Sequence, residues 1–138
     1  MSDSSSIQYA YTILYVKDVV ASMAFYRRVF DLSEKFVTPE QDYGELITGT
    51  TVLAFANLTL ANSNFASDFQ VSEPHRTPFG IELAFSTMDV ADLMAKAQAA
   101  GGTLLAEVKT KPWGQQVGYV RDLNGFIIEI CTPMPTSK

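Results

Sequence analysis

Few side chains in this chain are suited to acid–base or metal chemistry. Its 138 residues include one His, His75, and one Cys, Cys131. Zinc sites that need two His or a set of Cys ligands from one chain are therefore excluded. His75 lies in a polar segment flanked by prolines, where we expect a solvated residue. Glu129 is different, because it interrupts the apolar run 127–130, where a charge is costly unless it is paired or functional.

Composition narrows the classes of function. The formal net charge is −5 and the ten Lys and Arg are scattered, which argues against nucleic acid as a main partner. No apolar stretch is long enough for a membrane span, and the N-terminal residues lack the features of a signal peptide. With a single Cys, the expected compartment is the cytoplasm. The length and the 47% apolar content predict one globular domain.

The spacing of apolar residues predicts two helices among short strands. Each helix begins after an Asp suited to the N-cap, one from Asp18 to about residue 30 and one from Asp89 to residue 100. Residues 57–79 are rich in Asn and Ser and predict a linker with one helical turn. The predicted strands are residues 9–16, 36–38, 44–48, 51–55, 80–87, 103–108, 116–121 and 126–131.

The order βαβββ therefore occurs twice, and a sequence repeat accompanies it. Asp18, Val19, Met23 and Ala24 recur as Asp89, Val90, Met94 and Ala95, at a constant offset of 71. We predict a single α+β domain over residues 7–132, with module one at 8–56, module two at 80–132 and flexible tails at 1–6 and 133–138. Because half a chain of this size buries too little surface alone, the modules must share a core or a dimer interface.

The helix of each module should cover one face of its sheet and leave the other face free for a ligand. Side chains alternate along a strand, so the face that carries Leu14 or Leu83 goes to the helix. This assignment places Tyr11 and Glu82 on the free, concave faces.

These features together resemble the vicinal oxygen chelate superfamily, which includes glyoxalase I, extradiol dioxygenases, fosfomycin-resistance enzymes and bleomycin-resistance proteins. The resemblance rests on the paired modules, the Asp-Val helix openings and the ending Arg-Asp-Leu-Asn-Gly-Phe-Ile-Ile-Glu-Ile at 121–130. It covers about residues 8–132 and implies two βαβββ modules whose sheets curve around a cleft.

In metal-dependent members, the first strand of each module supplies one ligand, commonly His, and a late strand supplies another, usually Glu. Carried over, these positions hold Tyr11, Ala54, Glu82 and Glu129. Only Glu129 matches the usual ligand type, and Ala54 has no donor atom. Glu82 offers a carboxylate, which suits Mg²⁺, Mn²⁺ or Fe²⁺. The resemblance therefore implies a broken metal signature.

The segment Lys-Pro-Trp-Gly-Gln at 111–115 precedes the penultimate strand and resembles a segment of the bleomycin-resistance proteins. In that group the indole helps to line the ligand groove, the metal set is missing, and a cationic drug is sequestered at a two-fold dimer interface. The resemblance implies the same role for Trp113. Tyr119, in the strand that follows, is a second candidate for the lining.

We therefore predict a small-molecule-binding protein that sequesters an aromatic or cationic compound and needs no cofactor. The alternative is a metal-dependent lyase, similar to lactoylglutathione lyase, or a dioxygenase, with Glu82 and Glu129 as metal ligands or as an acid–base couple and with His75 folded over the groove. The superfamily and the frequency of two-fold symmetry predict a homodimer. The predicted ligand-binding residues are Tyr11, Glu82, Trp113, Tyr119 and Glu129.

Overall fold

A computed structural model describes residues 6–135, and the predicted tails lie largely outside them. The described chain forms two βαβββ units in tandem, joined by a linker that contains one short helix. Module one consists of β1 Thr12–Val16, α1 Val19–Phe30, β2 Ser33–Val37, β3 Tyr43–Thr48 and β4 Thr51–Asn57. The linker helix is α2 Leu58–Asn62, and module two consists of β5 Glu82–Ser86, α3 Val90–Ala99, β6 Thr103–Thr110, β7 Gln116–Arg121 and β8 Ile127–Cys131.

Both modules have the same sheet topology. The strand orders are β1-β4-β3-β2 and β5-β8-β7-β6, so the first strand of each module lies at the edge of its sheet. The β1–β4 and β5–β8 pairs are parallel, whereas the remaining pairs are antiparallel. The predicted α+β duplication is therefore confirmed.

Three strands begin two or more residues away from the predicted position. The first strand begins at Thr12 rather than at residue 9, because pairing with β4 begins at Thr12 and residues 9–11 have no strand partner. For the same reason β5 begins at Glu82 rather than at residue 80. The second strand begins earlier than predicted, at Ser33, because its polar residues pair with Ile47 and Leu46 of β3. Strand propensity alone does not show where a partner ends.

A methionine packed over a glycine joins each helix to its sheet. A Cβ on Gly44 of β3 would collide with the sulfur of Met23 in α1, and a Cβ on Gly118 of β7 would lie 2.9 Å from the sulfur of Met94 in α3. The two methionines belong to the sequence repeat, and each requires a strand with no side chain beneath it. The repeated helix contact thus has the same physical basis in both modules.

One apolar core serves both modules. It contains the helix-facing residues of both sheets, among them Leu14 and Val16 of β1 and Ile128 and Ile130 of β8. Helix α1 contacts its own sheet and also α3, and Phe30 at its end stacks on Phe85 of β5 with ring centroids 4.0 Å apart. The opposite face of each sheet therefore points away from the shared core, and we call it the outer face.

A buried hydrogen bond joins the modules at the centre of this core. Tyr26 of α1 is fully buried and its hydroxyl donates to Oδ2 of Asp122, in the β7–β8 turn, at 2.6 Å. The other oxygen of Asp122 accepts from the backbone N–H groups of Asn124 and Phe126. Burial raises the pKa of Asp122, while these hydrogen bonds act in the opposite direction.

The linker is fastened to the same turn. The Arg121 guanidinium donates to the carbonyl oxygens of Gly125 and Glu73, at 2.9 Å each. Gly125 has φ of 91°, and a side chain there would collide with the Glu73 carbonyl, so both the turn and the linker contact require glycine. No helix in the described part of the chain is long and apolar enough to cross a membrane.

We predict that Tyr26→Phe lowers the free energy of unfolding by about 1–3 kcal/mol, because it removes a buried hydrogen bond to a desolvated carboxyl group. Urea denaturation followed by circular dichroism measures this loss. Tyr15→Phe is the matched control, since the Tyr15 hydroxyl makes no hydrogen bond with another described residue and should cost less than 0.5 kcal/mol. Equal losses in the two variants would contradict the prediction.

Candidate functional site

The outer face of module two brings together three of the predicted site residues. Paired residues of neighbouring strands point to the same face. Glu129 of β8 is paired with Ala84 of β5 on one side and with Tyr119 of β7 on the other. Glu82 lies two residues before Ala84 and shares its face. We call Glu82, Tyr119 and Glu129 the acid face.

The carboxyl group of Glu129 lies close enough to that of Glu82 to shift its pKa. Hydrogen bonding with Glu129, burial and the charge of Glu129 raise the pKa of Glu82 to about 7. The Tyr119 hydroxyl lies 3.4 Å from Oε1 of Glu129 and donates to it, and burial beside the carboxylates raises the pKa of Tyr119. Near neutral pH the Glu82 carboxyl group therefore exchanges between its protonated and its ionised form.

A chain of polar contacts connects the acid face with Trp113. The indole N–H donates to Oε1 of Gln115 at 2.8 Å, and the Gln115 amide donates to the carbonyl of Thr132 at 2.8 Å. Gln115 is buried and lies close to Cys131, whose thiol donates to the Phe85 carbonyl and lies close to Glu129. Trp113 is 54% exposed, so its ring is oriented by Gln115 while most of it faces solvent.

Cys131 is not a nucleophile in this arrangement. Burial and the nearby carboxylates raise its pKa to about 11, so the thiol stays protonated near neutral pH.

Tyr11 does not join the acid face. It lies just before β1, on module one, where it is close enough to Tyr43 to contribute to its raised pKa. Tyr43 donates to Oε2 of Glu45 at 2.6 Å, and the Lys35 ammonium lies 3.5 Å from the other oxygen. The predicted five-residue lining is thus divided between two outer faces. The sequence analysis missed Tyr43 and Glu45, although Glu45 is, like Glu129, an acid within a strand.

The register identifies equivalent positions in the two modules. Ala54 is paired with Ile13 as Glu129 is paired with Ala84, so Ala54 is the counterpart of Glu129. Glu45 is paired with Ala54 and is therefore the counterpart of Tyr119. Each outer face has one Tyr–Glu hydrogen bond, but the acid lies on a different strand in each.

The donor atoms do not fit the four-ligand metal set of the superfamily. Module one offers Ala54 and the phenol of Tyr11 at the ligand positions, and module two offers two carboxyl groups that share a proton. Bringing the two faces together in a dimer would add no imidazole. Among the described residues, no three His, Cys, Asp or Glu side chains are arranged to hold a metal ion. His75 is exposed in the linker, beside Arg76.

Two βαβββ modules in tandem, each with a free sheet face, define the vicinal oxygen chelate superfamily. The family model of the glyoxalase-like domain matches residues 9–135, and the chain therefore belongs to this family. No curated protein sequence matches it significantly.

Solved structures resemble the chain over most of its length. A glyoxalase-related enzyme from Fulvimarina pelagi is 28% identical with a TM-score of 0.80, over 91% of this chain and 88% of that one. A glyoxalase/bleomycin resistance protein/dioxygenase family enzyme from Burkholderia phytofirmans PsJN is 21% identical with a TM-score of 0.68, over 89% and 96%. Lactoylglutathione lyase from Agrobacterium tumefaciens is 20% identical with a TM-score of 0.66, over 94% and 96%. The similarity to the last two structures shows only that they share the fold of this chain.

The raised pKa of Glu82 makes stability depend on pH. It is about 7 in the folded chain against an ordinary value of 4.5, so the folded chain binds more protons in this interval. Stability that is present below pH 4.5 is therefore lost as the pH rises towards 7 and above. Glu82→Gln should raise the melting temperature relative to the wild type at pH 8 and have little effect at pH 4.5.

Thermal unfolding at the two pH values tests this expectation. Glu107→Gln, an exposed Glu of β6, is the matched control and should show the same difference from the wild type at both pH values. A pH-independent effect of Glu82→Gln would mean that the two carboxyl groups do not share a proton.

Proposed function

We propose that the protein binds a small aromatic cation on the acid face and performs no chemistry on it. The observation that carries the proposal is the carboxyl pair of Glu82 and Glu129, which lies on a free sheet face. Two acids at hydrogen-bond distance are unfavourable when both are ionised, and a bound cation relieves this repulsion. A neutral ligand would not relieve this repulsion, so the carboxyl pair would not favour its binding.

The indole of Trp113 supports the aromatic part of the ligand. An exposed indole attracts both flat rings and cations. The hydrogen bond with Gln115 restricts its orientation, which lowers the entropic cost of binding. The net charge of −5 also favours the approach of a cation. The function is then sequestration, as the resemblance of residues 111–115 to the bleomycin-resistance proteins implies.

The alternative function is that of a metal-dependent lyase or dioxygenase. It is supported by Glu82 and Glu129 as carboxylate ligands and by the membership of the glyoxalase-like family. It lacks support from Tyr11 and Ala54, because neither position supplies a usual ligand of the superfamily's metal set. Binding without a metal explains more of the side chains present.

We also propose that a second copy of the chain covers the outer face of module one. This face exposes several large apolar side chains, and such a patch usually marks an interface. Two-fold association would place it against the acid face of the partner and enclose a ligand between them. The exposed side chains are Tyr11 at 45%, Ile13 at 37%, Phe36 at 40% and Ile47 at 41%.

Binding of an aromatic cation such as a benzylammonium compound should depend on both halves of the site. Trp113→Ala should weaken it about fivefold to tenfold, in line with the strength of a cation–π contact. Glu129→Gln should weaken it at least tenfold and remove its rise with pH near 7, because Glu82 loses the partner that raises its pKa. Isothermal titration calorimetry at pH 6 and pH 8 measures both effects.

Matched controls keep this test specific. Met88→Ala removes an exposed apolar side chain elsewhere, and Glu107→Gln removes an exposed charge; both should bind as the wild type does. Equal affinity of the wild type and Trp113→Ala would refute the platform role. Stoichiometric Mn, Fe, Ni or Zn in untagged protein, lost in Glu129→Gln, would overturn binding without a metal and support the alternative.

The proposed dimer makes a separate prediction. Phe36→Glu places a charge on the outer face of module one and should convert a dimer into a monomer in sedimentation velocity experiments. Val20→Glu is the control, because Val20 is comparably exposed, at 43%, on α1. A wild type that sediments as a monomer at 100 μM would exclude this assembly.

A further inference from the structure

A pocket lies along the seam between the two modules. Its lining differs chemically from that of the acid face. It has a volume of about 190 Å³ and lies between β1 and the start of β5, with linker residues Phe69 and Phe79 along its wall. We call it the seam pocket. The sequence analysis treated these linker residues only as a connection.

Two aromatic pairs build the wall of the seam pocket. Tyr15 of β1 contacts Phe69 at a centroid distance of 4.8 Å, and Phe126, just before β8, contacts Phe79 at 6.5 Å. Each pair joins one linker residue to one module. Because the linker is also fastened to the β7–β8 turn through the Glu73 carbonyl, the aromatic wall is held in place from both sides.

The remaining lining is uncharged and mostly apolar, with Thr12 and Gln70 as its polar side chains. It includes Ile13, Ile81, Leu83 and Ile127, and no Lys, Arg, Asp or Glu side chain contributes to it. Water in such a space finds few hydrogen-bond partners, and an empty space forfeits the dispersion contacts of its wall. Apolar cavities of about 150 Å³ in proteins stay dry and bind benzene. The seam pocket is large enough for a ligand of one or two fused rings.

Backbone groups add to the polar side chains of Thr12 and Gln70 at the seam pocket. Each of the two strands beside it is the outer strand of its sheet: β1 pairs with β4 alone and β5 with β8 alone among the described strands. No backbone hydrogen bond joins β1 to β5 in the described chain. Strand edges present N–H and C=O groups that suit a ligand with a neutral donor or acceptor.

We propose that the seam pocket binds a small, uncharged aromatic compound, at a site separate from the acid face. The aromatic wall and the absence of charged lining residues select a flat, neutral ring, and the volume limits the ligand to about the size of indole. Such a fragment is expected to bind with a Kd on the order of 0.1–1 mM.

Titration with indole, followed by two-dimensional NMR of the ¹⁵N-labelled full chain, tests the proposal. Amide shifts should change at Ile13, Tyr15 and Ile81 rather than around Trp113. Ile81→Trp adds a large side chain at a position that is 67% exposed, so it should fill the pocket without disturbing the core and weaken binding more than tenfold. Phe69→Ala removes part of the wall and should weaken binding several-fold.

Two controls separate this proposal from the one for the acid face. Met88→Trp adds the same indole at an 80% exposed position and should leave the affinity unchanged. Glu129→Gln should also leave the affinity for indole unchanged, although it should weaken binding of the aromatic cation at least tenfold. Unaltered binding in Ile81→Trp, equal weakening in Met88→Trp, or shifts confined to the acid face would each overturn the seam pocket as a ligand site.

Discussion

The hydrogen bond from Tyr26 to Asp122 is the contact on which the arrangement of the two modules depends. It connects the middle of α1 with the β7–β8 turn, and both partners are buried. A buried carboxyl group needs several donors, and Asp122 receives them from a side chain of module one and from two amides of its own turn. Moving α1 away would remove the donor that Oδ2 of this buried carboxyl group has in the folded chain. The helices thus lie in a shared core, and both outer faces remain free for ligands or a partner.

Duplication explains the symmetry of the scaffold better than it explains the chemistry. Met23 over Gly44 and Met94 over Gly118 repeat the same packing in both modules. The outer faces, by contrast, have diverged, since Glu129 has Ala54 as its counterpart and Tyr119 has Glu45. Packing constrains residues that face the core, whereas residues on a free face change with the ligand.

On our proposal, the divergence of the outer faces accounts for ligand binding in place of metal catalysis. A catalytic metal requires several ligands of defined type from both modules. Here the acids of module two are hydrogen-bonded to each other, and Glu45 of module one is already engaged by Tyr43 and Lys35. The acid face retains a pair of neighbouring carboxyl groups, and on our proposal this pair recognises a cation.

The fold and part of the site were predictable from local sequence patterns. Three local patterns were sufficient to predict the modules, their helices and the faces that Glu82 and Glu129 occupy. They are the N-cap residues Asp18 and Asp89, the repeat at an offset of 71, and the alternation around Glu129. These signals are local, because capping and alternation act within a few residues. Strand ends at Thr12 and Glu82 were not predictable in this way, since they depend on where a partner strand begins.

By itself, then, the sequence determined the duplicated architecture and the residue types available for chemistry, since periodicity, caps and composition are properties of the chain alone. Only the tertiary structure decided which of those residues meet. It separated Tyr11 from the acid face, linked Trp113 to the Thr132 carbonyl through Gln115, and brought Phe69 and Phe79 of the linker to the seam between the modules. Such contacts arise from register and from packing between distant segments, and no local pattern of residues encodes them.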